Sequence, residues 1–168
     1  MLVGLMGVGK TTVGKRCAER LDRPFVDTDE LVVAAAGVPF AELWAVEGEP
    51  GFRARERVAV ADAAASPVPL VIACGGGAVL DPDNRRVLRG TGFVVWLDAP
   101  PAILVSRLAS DDSRPLLAGR DRAATLTRLG DVRAPAYEAA ADVTVATDGR
   151  TMDEVAAAVV EELGSWNA

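Results

Sequence analysis

Short apolar runs alternate along this chain with longer stretches whose apolar residues recur every three or four positions. Met1-Leu2-Val3 opens the pattern as an apolar triplet, and residues 24–27, 70–73, 93–97 and 143–146 are compact β-rich runs. Between 11 and 21, Val13, Cys17, Ala18 and Leu21 keep the spacing of an amphipathic helix. Similar spacing predicts helices at about 28–47, 49–65, 82–89, 100–108, 121–139 and 151–164. Strands separated by helices are the rhythm of a doubly wound parallel sheet, so the fold class is α/β with about five strands. No repeat, low-complexity tract or linker divides the sequence, which predicts one domain over 1–168. The least patterned segment, 109–122, is rich in Ser, Asp, Gly and Arg and reads as a mobile loop carrying Arg114, Arg120 and Arg122.

Composition narrows the chemistry. A chain of 168 residues can bury a full core, and Ala and Val rather than aromatics carry its apolar half, which suits helices on a parallel sheet. The formal charge of −6 argues against non-specific binding to nucleic acid or an anionic membrane, so an anionic ligand would need local cationic sites. No 18-residue apolar run is present, and the glycine loop described next starts at residue 4, leaving no room for a signal peptide. A cytoplasmic protein is expected. Histidine is absent, which removes zinc sites of the usual kind and imidazole acid–base chemistry; carboxylates and oxygen ligands must serve. Cys17 and Cys74 lack C-x-x-C spacing and sit among apolar neighbours, as buried free thiols do.

Gly4-Leu5-Met6-Gly7-Val8-Gly9-Lys10-Thr11 spells G-x-x-x-x-G-K-T. By chance the pattern appears about once in 30,000 positions, so a mere glycine turn before a helix is the weaker reading. Its glycines let consecutive N–H groups face phosphate oxygens, Lys10 reaches the terminal phosphates and the Thr11 hydroxyl ligates Mg²⁺. Gly7, Val8, Gly9, Lys10, Thr11 and Thr12 are the candidate nucleotide-binding residues. Only Lys10 and Lys15 are lysines, against sixteen arginines, so lysine stands where a compact charge suits the loop.

Further constellations follow in order. Asp27-Thr28-Asp29 closes the second strand, where carboxylates face the ligand crevice of an open sheet; Asp29 as a simple helix cap is the alternative. Arg53 and Glu56 share a helix face, as an inward carboxylate receptor or as a solvated ion pair. Gly75-Gly76-Gly77 follows a strand and exposes backbone where a ligand approaches. Arg114-Pro115 lies in the polar loop, as a lid arginine or a surface one, and Arg133 points inward or caps its helix. Phe40 and Trp44 read as core rather than ligand wall.

Together the glycine loop, the D-T-D, the G-E-x-x-F-R-x-x-E beginning at Gly48, the G-G-G, the R-P-L-L and the R-x-P-x-Y resemble the shikimate kinase family from about residue 2 to Val145. The resemblance implies a three-layer α/β/α P-loop kinase fold with a central parallel sheet and a lid. Its core would be 1–108 and 123–168, its lid about 109–122, and its substrate-binding segment about 29–62. It implies transfer of the γ-phosphate of ATP to the 3-hydroxyl of shikimate by a monomer that needs Mg²⁺. Lys10, Asp29 and Arg114 would be catalytic; Thr11 and Asp27 would hold the metal. Asp29, Arg53, Glu56, Gly75, Gly76, Gly77 and Arg133 would bind shikimate. Arg107 would stack on adenine, with Arg114 on the phosphates and Arg150 near the nucleotide. Cys74, Trp44 and a missing proline near 148–152 depart from the family pattern. Rival readings are a gluconate-kinase-like enzyme of another hydroxy acid and a non-catalytic nucleotide-binding module.

Overall fold

Residues 1–108, 117 and 121–166 are described by a computed structural model. The apolar runs become five parallel strands, β1 (Leu2–Val3), β2 (Phe25–Asp27), β3 (Val71–Ala73), β4 (Val95–Asp98) and β5 (Val143–Ala146). Their spatial order is β2-β3-β1-β4-β5, which puts the shortest strand at the centre. Leu2 pairs with Ala73 on one side and Val95 on the other. The ladder extends past the strand ends, since the Val95 N–H donates to Met1 O and the Cys74 N–H to Leu2 O.

The helices are α1 (Lys10–Leu21), α2 (Thr28–Ala36), α3 (Phe40–Ala64), α4 (Pro82–Thr91), α5 (Pro101–Arg107), α6 (Arg122–Ala140) and α7 (Met152–Trp166). Successive strand side chains point to opposite faces, yet Leu2, Val3, Val71, Ile72 and Ala73 are all buried, so both faces of the sheet are covered. Leu2 and Phe25 lie against Gly14 of α1, where a β-carbon would come within 2.4 Å of the Phe25 ring. On the other face Trp96 stacks on Tyr137 of α6. Helix α7 packs on α1, α3 on α4, and α4 on α6, completing the three layers. No single described helix is long and apolar enough to cross a membrane.

Two expectations about elements need correction. The helix expected over 28–47 is broken, because Gly37 adopts φ 69° and ends α2, and the extended Pro39 starts α3. The break expected at 48 stands as a kink inside α3, with Gly48 at φ 66° and ψ −173° and Pro50 just beyond it. A short 3₁₀ turn at Ala78–Leu80 follows the three glycines and was not anticipated. Arg114 and Arg120 of the expected lid lie outside the described residues. Leu117 is buried, and Arg122 opens α6 and donates to the Leu108 carbonyl.

Helices α2 and α3 carry a core of their own. Val32, Leu43, Phe52 and Ala59 form a cluster apart from the main one, with Phe40 and Trp44 packed on it. Phe40 stacks on Trp44 at 5.6 Å and meets Phe52 edge-on at 4.9 Å. The carboxyl ends of β1, β2 and β3 lead into the glycine loop, Thr28-Asp29 and the three glycines, so three adjacent strands deliver the candidate residues to one edge.

Candidate active site

The glycine loop is built on backbone that side chains resist. Gly4, Gly7 and Gly9 have φ of 141°, 80° and 103°, and a β-carbon on Gly4 would stand 2.3 Å from the Leu97 carbonyl oxygen. Gly9 precedes α1, whose own first turn carries no acidic residue, and the positive end of the helix dipole faces the loop. Lys10 Nζ donates to Gly4 O and Leu5 O, each at 2.9 Å, and lies folded over the loop.

Asp27 joins two elements. Its Oδ2 accepts the Thr11 hydroxyl at 2.7 Å and its Oδ1 accepts the Asp29 N–H at 3.0 Å, which caps α2. The cap is therefore Asp27 and not Asp29, because Asp27 is the extended residue just before the first helical position. Asp29 borders the cleft, with its carboxylate beside Gly75.

That cleft, of about 790 Å³, is bordered by Gly7, Gly9, Lys10, Thr11, Thr12, Asp27 and Asp29 on the loop side. Arg107, which donates to Val8 O of the loop, also borders it, as do Arg53, Glu56, Gly76, Gly77 and Arg133 farther along. Phe40 and Trp44 belong to the second core and to this wall, so the expectation of core alone is only half of their role.

Glu56 is 1% exposed, which rules out the solvated ion pair. Its Oε2 accepts Arg53 Nη1 at 2.7 Å, while Arg53 Nη2 donates to Glu49 Oε1 at 3.1 Å. Its Oε1 is buried with no hydrogen-bond partner among the described residues. Burial pushes the Glu56 carboxyl above the usual range and Asp29 adds to the push, against the pull of Arg53 and Arg133. Arg133 is 3% exposed and donates through Nη1 to Gly76 O at 3.0 Å, so it points inward.

The three glycines make room for these side chains. A β-carbon on Gly77 would stand 2.2 Å from the Arg53 guanidinium, and one on Gly75 would meet both Glu56 and Asp29. Gly75 contributes backbone alone, its N–H donating to the buried Thr28 hydroxyl at 2.9 Å.

Arg107 donates to the Thr147 hydroxyl and carbonyl at 2.9 and 2.8 Å and to Val8 O at 3.4 Å, tying the loop to the end of β5. The Val8 side chain is buried in the main core, so only its backbone can serve a ligand. Arg150 is exposed in the turn before α7 and is not part of the cleft lining. Sequence reasoning missed Thr28, Glu49 and Thr147. Thr28 stood between two noted aspartates, but nothing local marked Thr147. Cys74 borders the cleft, yet burial pushes its thiol up to about 12, and that of Cys17 to about 11.

No cluster of three or more His, Cys, Asp or Glu side chains among the described residues could hold a metal. Thr11 and Asp27 supply only a hydroxyl and a carboxylate, a donor set that suits a hard cation sharing its shell with waters and phosphates.

A family model described as shikimate kinase matches residues 6–164. The shikimate kinase of Symbiobacterium thermophilum is 53% identical over 165 residues, spanning 97% of this chain and 94% of that one. The structure of shikimate kinase from Acinetobacter baumannii in complex with shikimate aligns with a TM-score of 0.94 and 36% identity, over 98% of this chain and 91% of that one. A gluconokinase from Sinorhizobium meliloti aligns with a TM-score of 0.60 and 20% identity, over 98% of this chain and 91% of that one, a likeness of fold alone.

Proposed function

Since the chain belongs to the shikimate kinase family, we propose that its cleft carries the γ-phosphate of ATP to the 3-hydroxyl of shikimate, giving shikimate 3-phosphate and ADP. The observation that carries this reading is the two-sided cleft. A phosphate loop with Lys10 lines one side, and two arginines around a buried glutamate line the other.

On the nucleotide side, the backbone N–H groups of residues 7–12 and the α1 dipole receive the phosphates. Lys10, held at the loop carbonyls, swings to the terminal phosphates and neutralises charge that grows in transfer. Thr11 and Asp27 would hold Mg²⁺, which when bound offsets phosphate charge and orients the γ-phosphate. Arg107, fixed by Thr147 and Val8, stands at the cleft wall for the adenine face. The lid at about 109–122 and its Arg114, which the family resemblance assigns to the phosphates, fall largely outside the described residues.

On the acceptor side, segment 29–62 with Arg133 receives shikimate. Arg53 and Arg133 bind its carboxylate, and the forked guanidinium geometry suits that pairing. Glu56 holds Arg53 in place, and Gly75, Gly76 and Gly77 leave room for the ring. Asp29 binds the hydroxyls and accepts the 3-hydroxyl proton as the new O–P bond forms and the bond from the γ-phosphorus to the departing ADP oxygen breaks. A loose transition state asks for positioning and charge more than for a strong base, so the absence of histidine is no obstacle.

The same reading takes the protein to be a cytoplasmic monomer, and two buried free thiols suit the reducing cytoplasm. The test is incubation with ATP and Mg²⁺ plus shikimate or gluconate, following ADP release and identifying products by mass spectrometry and NMR. Phosphate on the shikimate 3-hydroxyl alone is expected. Phosphorylated gluconate, or no phosphorylated product from either acid, would overturn the reading.

A further inference from the structure

Tyr137 does not border the cleft, yet its hydroxyl donates to Gly76 O at 2.6 Å, the same oxygen that accepts Arg133 at 3.0 Å. The two donors stand four residues apart on α6 and so reach out from one face of the helix. A carbonyl oxygen has two lone pairs, and here one helix occupies both. Tyr137 is 1% exposed, and its ring stacks on Trp96 with centroids 5.5 Å apart and planes at 24°. Trp96 is in turn fixed by its register between Val3 of β1 and Thr144 of β5. A continuous packed path therefore runs from the centre of the sheet through Trp96 and Tyr137 to the Gly76 carbonyl, and from there to Arg133. An arginine side chain has many rotamers to lose, so a guanidinium anchored on an immobile carbonyl meets a ligand at lower entropic cost.

We propose that Tyr137 is a positioning residue for the acceptor side: by pinning the Gly76 carbonyl it fixes the direction in which the remaining Arg133 N–H groups enter the cleft. Tyr137 then governs binding of the anionic acceptor and not the phosphoryl step. The inference rests on the reading that Arg133 binds the shikimate carboxylate.

Tyr137→Phe keeps the ring and its stack while deleting the hydroxyl. Loss of one such hydrogen bond should raise the shikimate KM about threefold to tenfold, with kcat within about twofold and the ATP KM unchanged. In an Arg133→Ala background the same substitution should add nothing, because its effect passes through that side chain. Trp96→Phe, which thins the support under Tyr137 without touching the cleft, should shift the shikimate KM in the same direction and serves if Tyr137→Phe is poorly folded by thermal unfolding. An unchanged KM in a folded Tyr137→Phe protein overturns the inference, as does an equal further loss in the Arg133→Ala background. An Arg133→Ala enzyme with a normal shikimate KM overturns the carboxylate reading itself, and Tyr137 loses its proposed role with it.

Discussion

Asp29 and Glu56 converge on one point above Gly75: their nearest oxygens stand 2.5 and 2.2 Å from where a β-carbon on that residue would lie. Gly75→Ala inserts a methyl group between two carboxylates, one of which is buried with an oxygen that has no hydrogen-bond partner among the described residues. The φ of Gly75 is not in the left-handed region, so the conflict is one of space and not of backbone strain. Nucleotide binding should survive, while kcat/KM for shikimate should fall about a hundredfold, as a misplacement of about an ångström does. Steady-state kinetics beside an ATP-binding titration decides the matter; wild-type kcat/KM in the variant would mean that neither acid is held at this point.

Glu56 also predicts a pH signature. Its carboxyl titrates above the usual range in the folded protein, chiefly because it is buried. Between the ordinary carboxylate value and the raised one, the native state binds more protons than the unfolded chain, so stability falls as pH rises through that window. Glu56→Gln removes this slope. The stability of the variant minus that of the wild type should rise with pH and then level off. Urea unfolding at intervals from about pH 4 to 8 measures it. A difference that stays flat or falls contradicts the assignment.

Metal dependence should pass through Asp27 without its cap. Asn caps helices as well as Asp does, so Asp27→Asn should leave thermal stability within about 1 kcal/mol of wild type. It lacks the full negative charge, and the Mg²⁺ concentration for half-maximal rate should rise about tenfold. An unchanged Mg²⁺ titration would remove Asp27 from the metal site.

The two arginine roles separate kinetically. Arg53→Ala deletes a charge-assisted contact worth about 1.5–3 kcal/mol, so the shikimate KM should rise roughly 10- to 150-fold with kcat little altered. Arg114→Ala should instead lower kcat, by about 10²–10³-fold if it stabilises charge on the transferring phosphate. Exchange of these two patterns would reverse the proposed assignment.

Both thiols should be inert in the native enzyme. With Cys17 pushed up to about 11 and Cys74 to about 12, no more than about one molecule in a thousand carries a thiolate at pH 8. A chromogenic disulfide should react fully only after denaturation; prompt reaction of one equivalent in folded protein would contradict the burial.

Contiguous features were the most legible. Gly4–Thr11 and Asp27–Asp29 place their groups through local backbone, so spacing in the sequence is nearly spacing in the fold. Arg53 and Glu56 showed a shared helix face, but spacing alone does not say whether that face is wet, and the buried Glu56 packs beside Gly75, nineteen residues on. The break between α2 and α3 was signalled by Gly37 and Pro39, and a continuing run of Ala and Val concealed it. Arg107 sits forty residues from Thr147, a partnership no local pattern could announce.

The separate cluster of Val32, Leu43 and Phe52, lined by Phe40 and Trp44, gives the acceptor helices an interior that the sheet does not share. Val32 comes from α2 and the other four from residues 40–52 of α3, whereas Val60 and Ala63 near the end of that helix join the main core with Leu2 and Val3. Because Phe40, Trp44 and Phe52 belong both to this cluster and to the cleft wall, a change in how α2 packs on α3 is also a change in the shape of the cleft.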